Sequence, residues 1–160
     1  MTLLDLPGTL SGEDAHTARA REGLRSAAAL VIVTTSELPG EAETAAIRAA
    51  LDADSFVGRS LVVVNKINAE NSDPALILDE VRLRLGPFAD RVPVVATDAL
   101  DHIEAVNDPD LDAEQREWLL ARSGFDAFTV ELQKIVDAGV EAFRPMAQAH
   151  ELVRVLDDAV

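Results

Sequence analysis

At 160 residues and 48% apolar content, the chain can bury the core of one domain and is too apolar for a disordered one. A formal net charge of −15 argues against nucleic acid and anionic membrane, both of which need a basic face. The absence of cysteine removes disulfides, thiolate metal sites and a cysteine nucleophile together. The longest apolar run, Ala27 to Val33, is far short of the ~18–20 residues of a membrane span. No basic segment followed by an apolar one opens the chain, so a cytoplasmic location is expected.

Met1 to Asp5 reads as a short buried strand ending in Asp5-Leu6-Pro7-Gly8. An aspartate at a strand end can hold a magnesium-bound water, and a following glycine lets its backbone N–H approach a phosphate oxygen. The same residues also describe an ordinary strand-ending turn. Ser11 or Gly12 then precedes Glu13 and Asp14, acids suited to a first helical turn. That helix runs to about Ala27, with Ala20, Leu24 and Ala27 on one face. Leu30-Val31-Ile32-Val33, ending in Thr34-Thr35-Ser36, suits a parallel strand covered on both faces. Pro39-Gly40 marks a loop. Glu41 to Asp52 reads as a helix with Ala46, Ile47, Ala50 and Leu51 inward.

Leu61-Val62-Val63-Val64 is the next buried strand, and it delivers Asn65-Lys66-Ile67-Asn68 at its C-terminal end. Positive charge is nearly all arginine, the only lysines being Lys66 and Lys134, which sets Lys66 apart. Asp73-Pro74 is a helix start, with Asp at the cap and Pro at the first helical position. Leu78, Val81 and Leu85 ride on that helix, and Gly86-Pro87 stops it. Val92 to Ala96 is a further strand, with Pro93 near its start, where a missing N–H is least costly. The alternation predicts an α/β fold: a mostly parallel sheet of about four strands with flanking helices and right-handed crossovers. Ligands of such sheets sit beyond the strand C-termini, where Asp5–Gly8, Asn65–Asn68 and Ala96–Asp98 all fall.

The remainder reads as helical. Asp112-x-x-Gln115 can form a capping box for a helix carrying Trp118, Leu119 and Leu120, with Trp118 expected in packing. Ser123-Gly124 begins a long helix whose Phe128, Leu132, Ile135, Val136, Val140 and Phe143 follow helical spacing. Pro145 breaks it, and a last amphipathic segment follows with Met146, Ala149, Leu152, Val153 and Leu156. His16, His102 and His150 have no metal-ligand spacing and read as surface or half-buried residues. Asp108, Asp110 and Asp112 lack the glycine and terminal glutamate of a calcium loop. No G-x-S-x-G nucleophile elbow exists.

Asp5-Leu6-Pro7-Gly8, Asn65-Lys66-Ile67-Asn68 and Ala96-Thr97-Asp98-Ala99 together resemble the last three nucleotide-binding motifs of a GTPase domain. The Leu30–Val33 strand before an acid-rich helix start at 37–44, and the 123–128 segment opening a long helix, resemble the bacterial dynamin-like family. The resemblance implies a partial P-loop NTPase fold, a GTPase domain over 1–144, and a C-terminal helix at 145–160 that starts a bundle or stalk. It implies GTP or GDP with Mg2+ as cofactors. Asp5 would hold magnesium through a water, and the Gly8 N–H would sense the γ-phosphate. Asn65 would brace the base-binding loop against the phosphate loop, and Lys66 would lay its stem along the purine. Ala96 and Thr97 would offer backbone contacts to the base, and Asp98 would close that loop. The implied partners are a guanine nucleotide, the N-terminal part of the GTPase domain and a second copy of the chain, with peripheral membrane contact only through other regions and no nucleic acid.

Two departures qualify this. Asn68 stands where the motif has aspartate, and an amide cannot accept both guanine donors. One buried donor left unpaired costs about 1–3 kcal/mol, so guanine preference falls by roughly ten- to a hundredfold. With the missing N-terminal part of the domain restored, Asn68→Asp is then expected to raise the preference for guanine over xanthine and adenine nucleotides. No G-x-x-x-x-G-K-[ST] loop exists in the chain, so the chain alone is expected to bind GTP and GDP weakly and not to hydrolyse GTP. Three readings follow: part of a dynamin-like GTPase, a non-catalytic interaction module on a degenerate GTPase scaffold, or an α/β enzyme of another class. Lacking the phosphate-loop strand as neighbour, Met1 to Asp5 is expected to pair with Leu30 to Thr34 or with another chain.

Overall fold

A computed structural model of the chain describes residues 29–37, 40–68 and 73–139. Among the described residues the sheet has three parallel strands, β1 (Leu30–Thr35), β2 (Ser60–Asn65) and β3 (Val94–Ala96), lying in sequence order. Leu30 to Thr35 stand opposite Ser60 to Asn65, and Val62 to Val64 stand opposite Val94 to Ala96. The expected strand at Met1 to Asp5, its pairing, and the helix ending near Ala27 lie outside the described residues. So do His16, His150, Val140, Phe143, Pro145 and the segment 145–160.

β2 is the centre of the core because Ser60 to Val64 are buried on both faces. On one face Val62 and Val64 join Ile32, Val94 and Ala96 against Ile47 and Leu51 of α1 (Glu41–Asp52) and Val81 and Leu85 of α2 (Pro74–Leu85). On the other, Leu61, Val63 and Val95 meet Phe128, Leu132 and Ile135 of α5, which occupies residues 125–139. Each such side chain, fully buried, contributes about 1.5–3 kcal/mol. β1 corrects the expectation of a strand covered on both faces. α5 lies over the β2–β3 half and reaches Val31, so Val33 is left 62% exposed.

Local chemistry sets the helix ends. Asp73 caps α2, its Oδ1 accepting from the N–H groups of Ala75 and Leu76, and Pro74 takes the first helical position. Gly86, at φ 59°, ends that helix, and Arg48 of α1 donates to the Arg84 carbonyl at 2.7 Å. β3 begins at Val94 and not at Val92, because Pro93 has no N–H to give the ladder. The Pro93 carbonyl still accepts from Val62 N–H, while Val92 turns into the core.

α3 (Ala99–Asn107) and α4 (Ala113–Ser123) form a helix pair between β3 and α5 in the chain. The Asp112–Gln115 capping box is present at the start of α4. Both Arg116 guanidinium ends donate to backbone carbonyls, of Ala105 and Asp108, and so tie α4 to the end of α3. Trp118 corrects the expectation of a packing residue: Leu119 takes the inward position of α4, and Trp118 is 56% exposed. Ser123-Gly124 opens the long helix as expected, Gly124 O accepting from Phe128 N–H, and Gly124 is at the same time the left-handed cap that ends α4.

Candidate functional site

Residues 65–68 and 96–98 leave the C-terminal ends of β2 and β3, and there they meet. Thr97 N–H donates to Val64 O at 2.8 Å, one rung beyond the strand, and Ile67 N–H donates to Thr97 O at 3.2 Å. Asn65 Oδ1 accepts from Ala99 N–H at 3.0 Å and from Thr97 Oγ1 at 3.4 Å. A backbone donor faces that oxygen, so the amide is oriented with Nδ2 pointing away, without a partner among the described residues. Ile67 is buried in the core and anchors the loop. Lys66, between these two fixed neighbours, has φ 59°, the only positive value at a non-glycine among the described residues. That conformation costs roughly 1–2 kcal/mol for a residue with a Cβ, and it leaves the lysine side chain exposed.

Asp98 serves both loops. Its Oδ1 caps α3, accepting from Leu100 N–H at 3.1 Å and Asp101 N–H at 3.4 Å. Its Oδ2 accepts from Asn68 N–H at 3.3 Å. Asn68 Nδ2 in turn donates to Asp101 Oδ2 at 2.8 Å and to Arg122 O at 3.1 Å. Both neighbours are acceptors, so the amide nitrogen must be the atom that faces them.

Arg122 completes the cluster. Its Nε donates to Asp101 Oδ2 at 2.7 Å and its Nη2 to Oδ1, a forked pair, and its guanidinium lies 4.1 Å from the Trp118 ring centre. Burial opposes charge on Asp101. The hydrogen bonds from Arg122 and Asn68, with the Arg122 charge, outweigh it and hold the carboxyl below its ordinary value. The Asp101 hydrogen bond acts reciprocally and raises Arg122 above its own ordinary value.

The α4–α5 turn closes a third side. Asp98 N–H donates to Ser123 O at 2.8 Å. Gly124 sits at φ 68°, and a Cβ there would lie 2.3 Å from Ala96 O, so the turn reaches β3 only because it has no side chain. Ser123 is fully buried, its Oγ donating to Leu120 O. His102 of α3 stacks on Phe125 at 4.1 Å and is half-buried, as expected.

Asn65, Lys66, Asn68, Ala96, Thr97 and Asp98 are therefore brought together, while Asp5 and Gly8 lie outside the described residues. The N–H groups of Thr97 and Asp98 are already engaged by Val64 and Ser123. Asp101, Arg122, Ser123 and Gly124 join the cluster without having stood out in the sequence as site residues. Asp98-x-x-Asp101 spacing could have flagged two acids in one helical turn, but Asp101 and Arg122 are 21 residues apart and no local pattern joins them. Among the described residues no group of His, Asp and Glu could hold a metal ion, and no helix is long and apolar enough to cross a membrane. Comparison with family models, curated proteins and solved structures returned no match.

Proposed function

We propose that the chain is the C-terminal part of a GTPase-type domain of the dynamin-like class, a partial P-loop NTPase fold with a fourth strand at Met1–Asp5. The loops Asn65–Asn68 and Ala96–Asp98 form the wall that receives the nucleotide base. One observation carries this reading: two loops about 30 residues apart are joined beyond the C-termini of adjacent parallel strands, where such sheets bind ligands. Asn65 fixes the distance between the loops, and Lys66 offers its aliphatic stem to the face of a purine. Asp5 and Gly8 belong to the triphosphate and magnesium side, with hydrolysis left to the complete protein. This chain contains no G-x-x-x-x-G-K-[ST] loop and does not itself hydrolyse GTP. The residues present suit a purine ring but not the guanine donor edge, because Asn68 turns its nitrogen toward Asp101.

A second reading, a non-catalytic interaction module on the same scaffold, is favoured by the α4–α5 turn. That turn already engages Asp98 N–H and Asn68 Nδ2. Amide NMR spectra of the chain titrated with guanosine monophosphate to millimolar concentration separate the two. The nucleotide reading expects shifts confined to 65–68 and 96–99 and indifferent to magnesium. Unchanged amides there favour the module. Micromolar, magnesium-dependent GTP affinity would overturn the view that the chain lacks its phosphate site.

A further inference from the structure

We infer that Asn68, Asp101 and Arg122 form a clamp that commits position 68 to holding the 65–68 loop, so that the base wall takes purines without selecting guanine. The second half of this rests on the nucleotide reading above; the first half does not.

The groups that face Asn68 Nδ2 are Asp101 Oδ2 at 2.8 Å and Arg122 O at 3.1 Å, both acceptors. Both amide hydrogens are thus engaged, and only Oδ1 remains to meet a ligand. Guanine presents two adjacent donors, N1–H and the N2 amino group, and one acceptor can answer only one of them. Adenine presents its N6 amino group and can also satisfy a single acceptor. With one bond available to either base, the wall has no chemical means of strong discrimination.

The same geometry gives the amide a positive reason to be there. A carboxylate at position 68 would sit against the Asp101 carboxylate and the lone pairs of Arg122 O. Asp101 cannot move away, because both its oxygens are held by Arg122, which is itself stacked on Trp118. Asn68→Asp therefore breaks the clamp and does not repair a motif. The substitution expected from the sequence to raise guanine preference is thus expected to cost the loop its anchor.

The test compares melting temperatures of the full chain carrying Asn68→Asp, Asn68→Ala, Asp101→Asn, and Asn68→Asp with Asp101→Asn together. Asn68→Asp is expected to melt about 5 °C or more below the unsubstituted chain and below Asn68→Ala, which removes the amide without adding charge. Adding Asp101→Asn to Asn68→Asp is expected to raise the melting temperature, because it removes the opposing charge. Were the two side chains independent, the second substitution would only add to the loss. An Asn68→Asp chain as stable as the unsubstituted one overturns the clamp. A double variant that melts below Asn68→Asp, or fails to fold while Asn68→Ala folds, overturns it too. In parallel, NMR titrations of the unsubstituted chain with guanosine and adenosine monophosphate are expected to give dissociation constants within about threefold of each other. A guanine preference beyond about tenfold overturns the loss of selectivity. Should neither nucleotide shift residues 65–68, the nucleotide reading fails, and the melting series still decides the clamp.

Discussion

Asp101 is nearly buried, yet it keeps its charge, because its oxygens are filled by Arg122 and Asn68. Its carboxyl in the folded chain titrates below its value in the unfolded one, so protonation favours unfolding. The stabilisation is complete above the ordinary carboxylate value and is lost as pH falls through the lower folded value. Arg122 is 38% exposed, so solvent screens part of the effect. Asp101→Asn has no such titration. Melting curves from neutral pH downward should show the gap between the unsubstituted chain and Asp101→Asn narrowing once pH drops below about 4. A constant gap would mean that Asp101 acts by shape alone.

Helix starts divide into those that serve only their own helix and one that serves the site. Asp73 caps α2 and its side chain makes no other hydrogen bond among the described residues, so Asp73→Ala should cost about 1 kcal/mol. Asp98 caps α3 with one oxygen and holds Asn68 N–H with the other. Asp98→Ala should therefore cost about 2 kcal/mol or more, since it removes a cap and leaves a second donor without its partner. Denaturant midpoints of the two variants check this. Equal losses would show that the bond to Asn68, at 3.3 Å, contributes nothing measurable.

At the scale of the molecule the sheet is unevenly covered. β2 has a hydrogen-bonded neighbour on each side and helices on both faces, whereas β1 carries Val33 at 62% exposure. Local opening of β1 exposes less apolar surface than opening of β2, so it is the cheaper event. Hydrogen exchange should find the slowest amides in Leu61 to Val64 and measurably faster ones in Val31 to Thr34. Equal protection would mean that β1 and β2 open only with the whole domain.

Hydrophobic period and cap chemistry act over a few residues, and what they control was legible in the sequence. The Leu61–Val64 strand, the span Glu41–Asp52, the Asp73-Pro74 start and the Asp112–Gln115 box all follow from neighbours along the chain. The joining of the Asn65 and Thr97 loops was legible in part, because parallel strands bring their C-terminal ends to one edge. What the amide of Asn68 faces was not, for it depends on Asp101 and Arg122, 33 and 54 residues further on. Gly124 was legible as a helix start, and it does open α5, but its place against β3 was not. Its contact with Ala96 exists only once α5 has packed on the sheet and brought the turn against β3. Trp118 looked like a core residue by its size, but the inward side of α4 belongs to Leu119, and the ring was left for Arg122 to stack upon. Side-chain type and spacing thus determined the elements, while the partners at the site were decided by packing, since hydrogen-bond acceptors distant in sequence have no local signature.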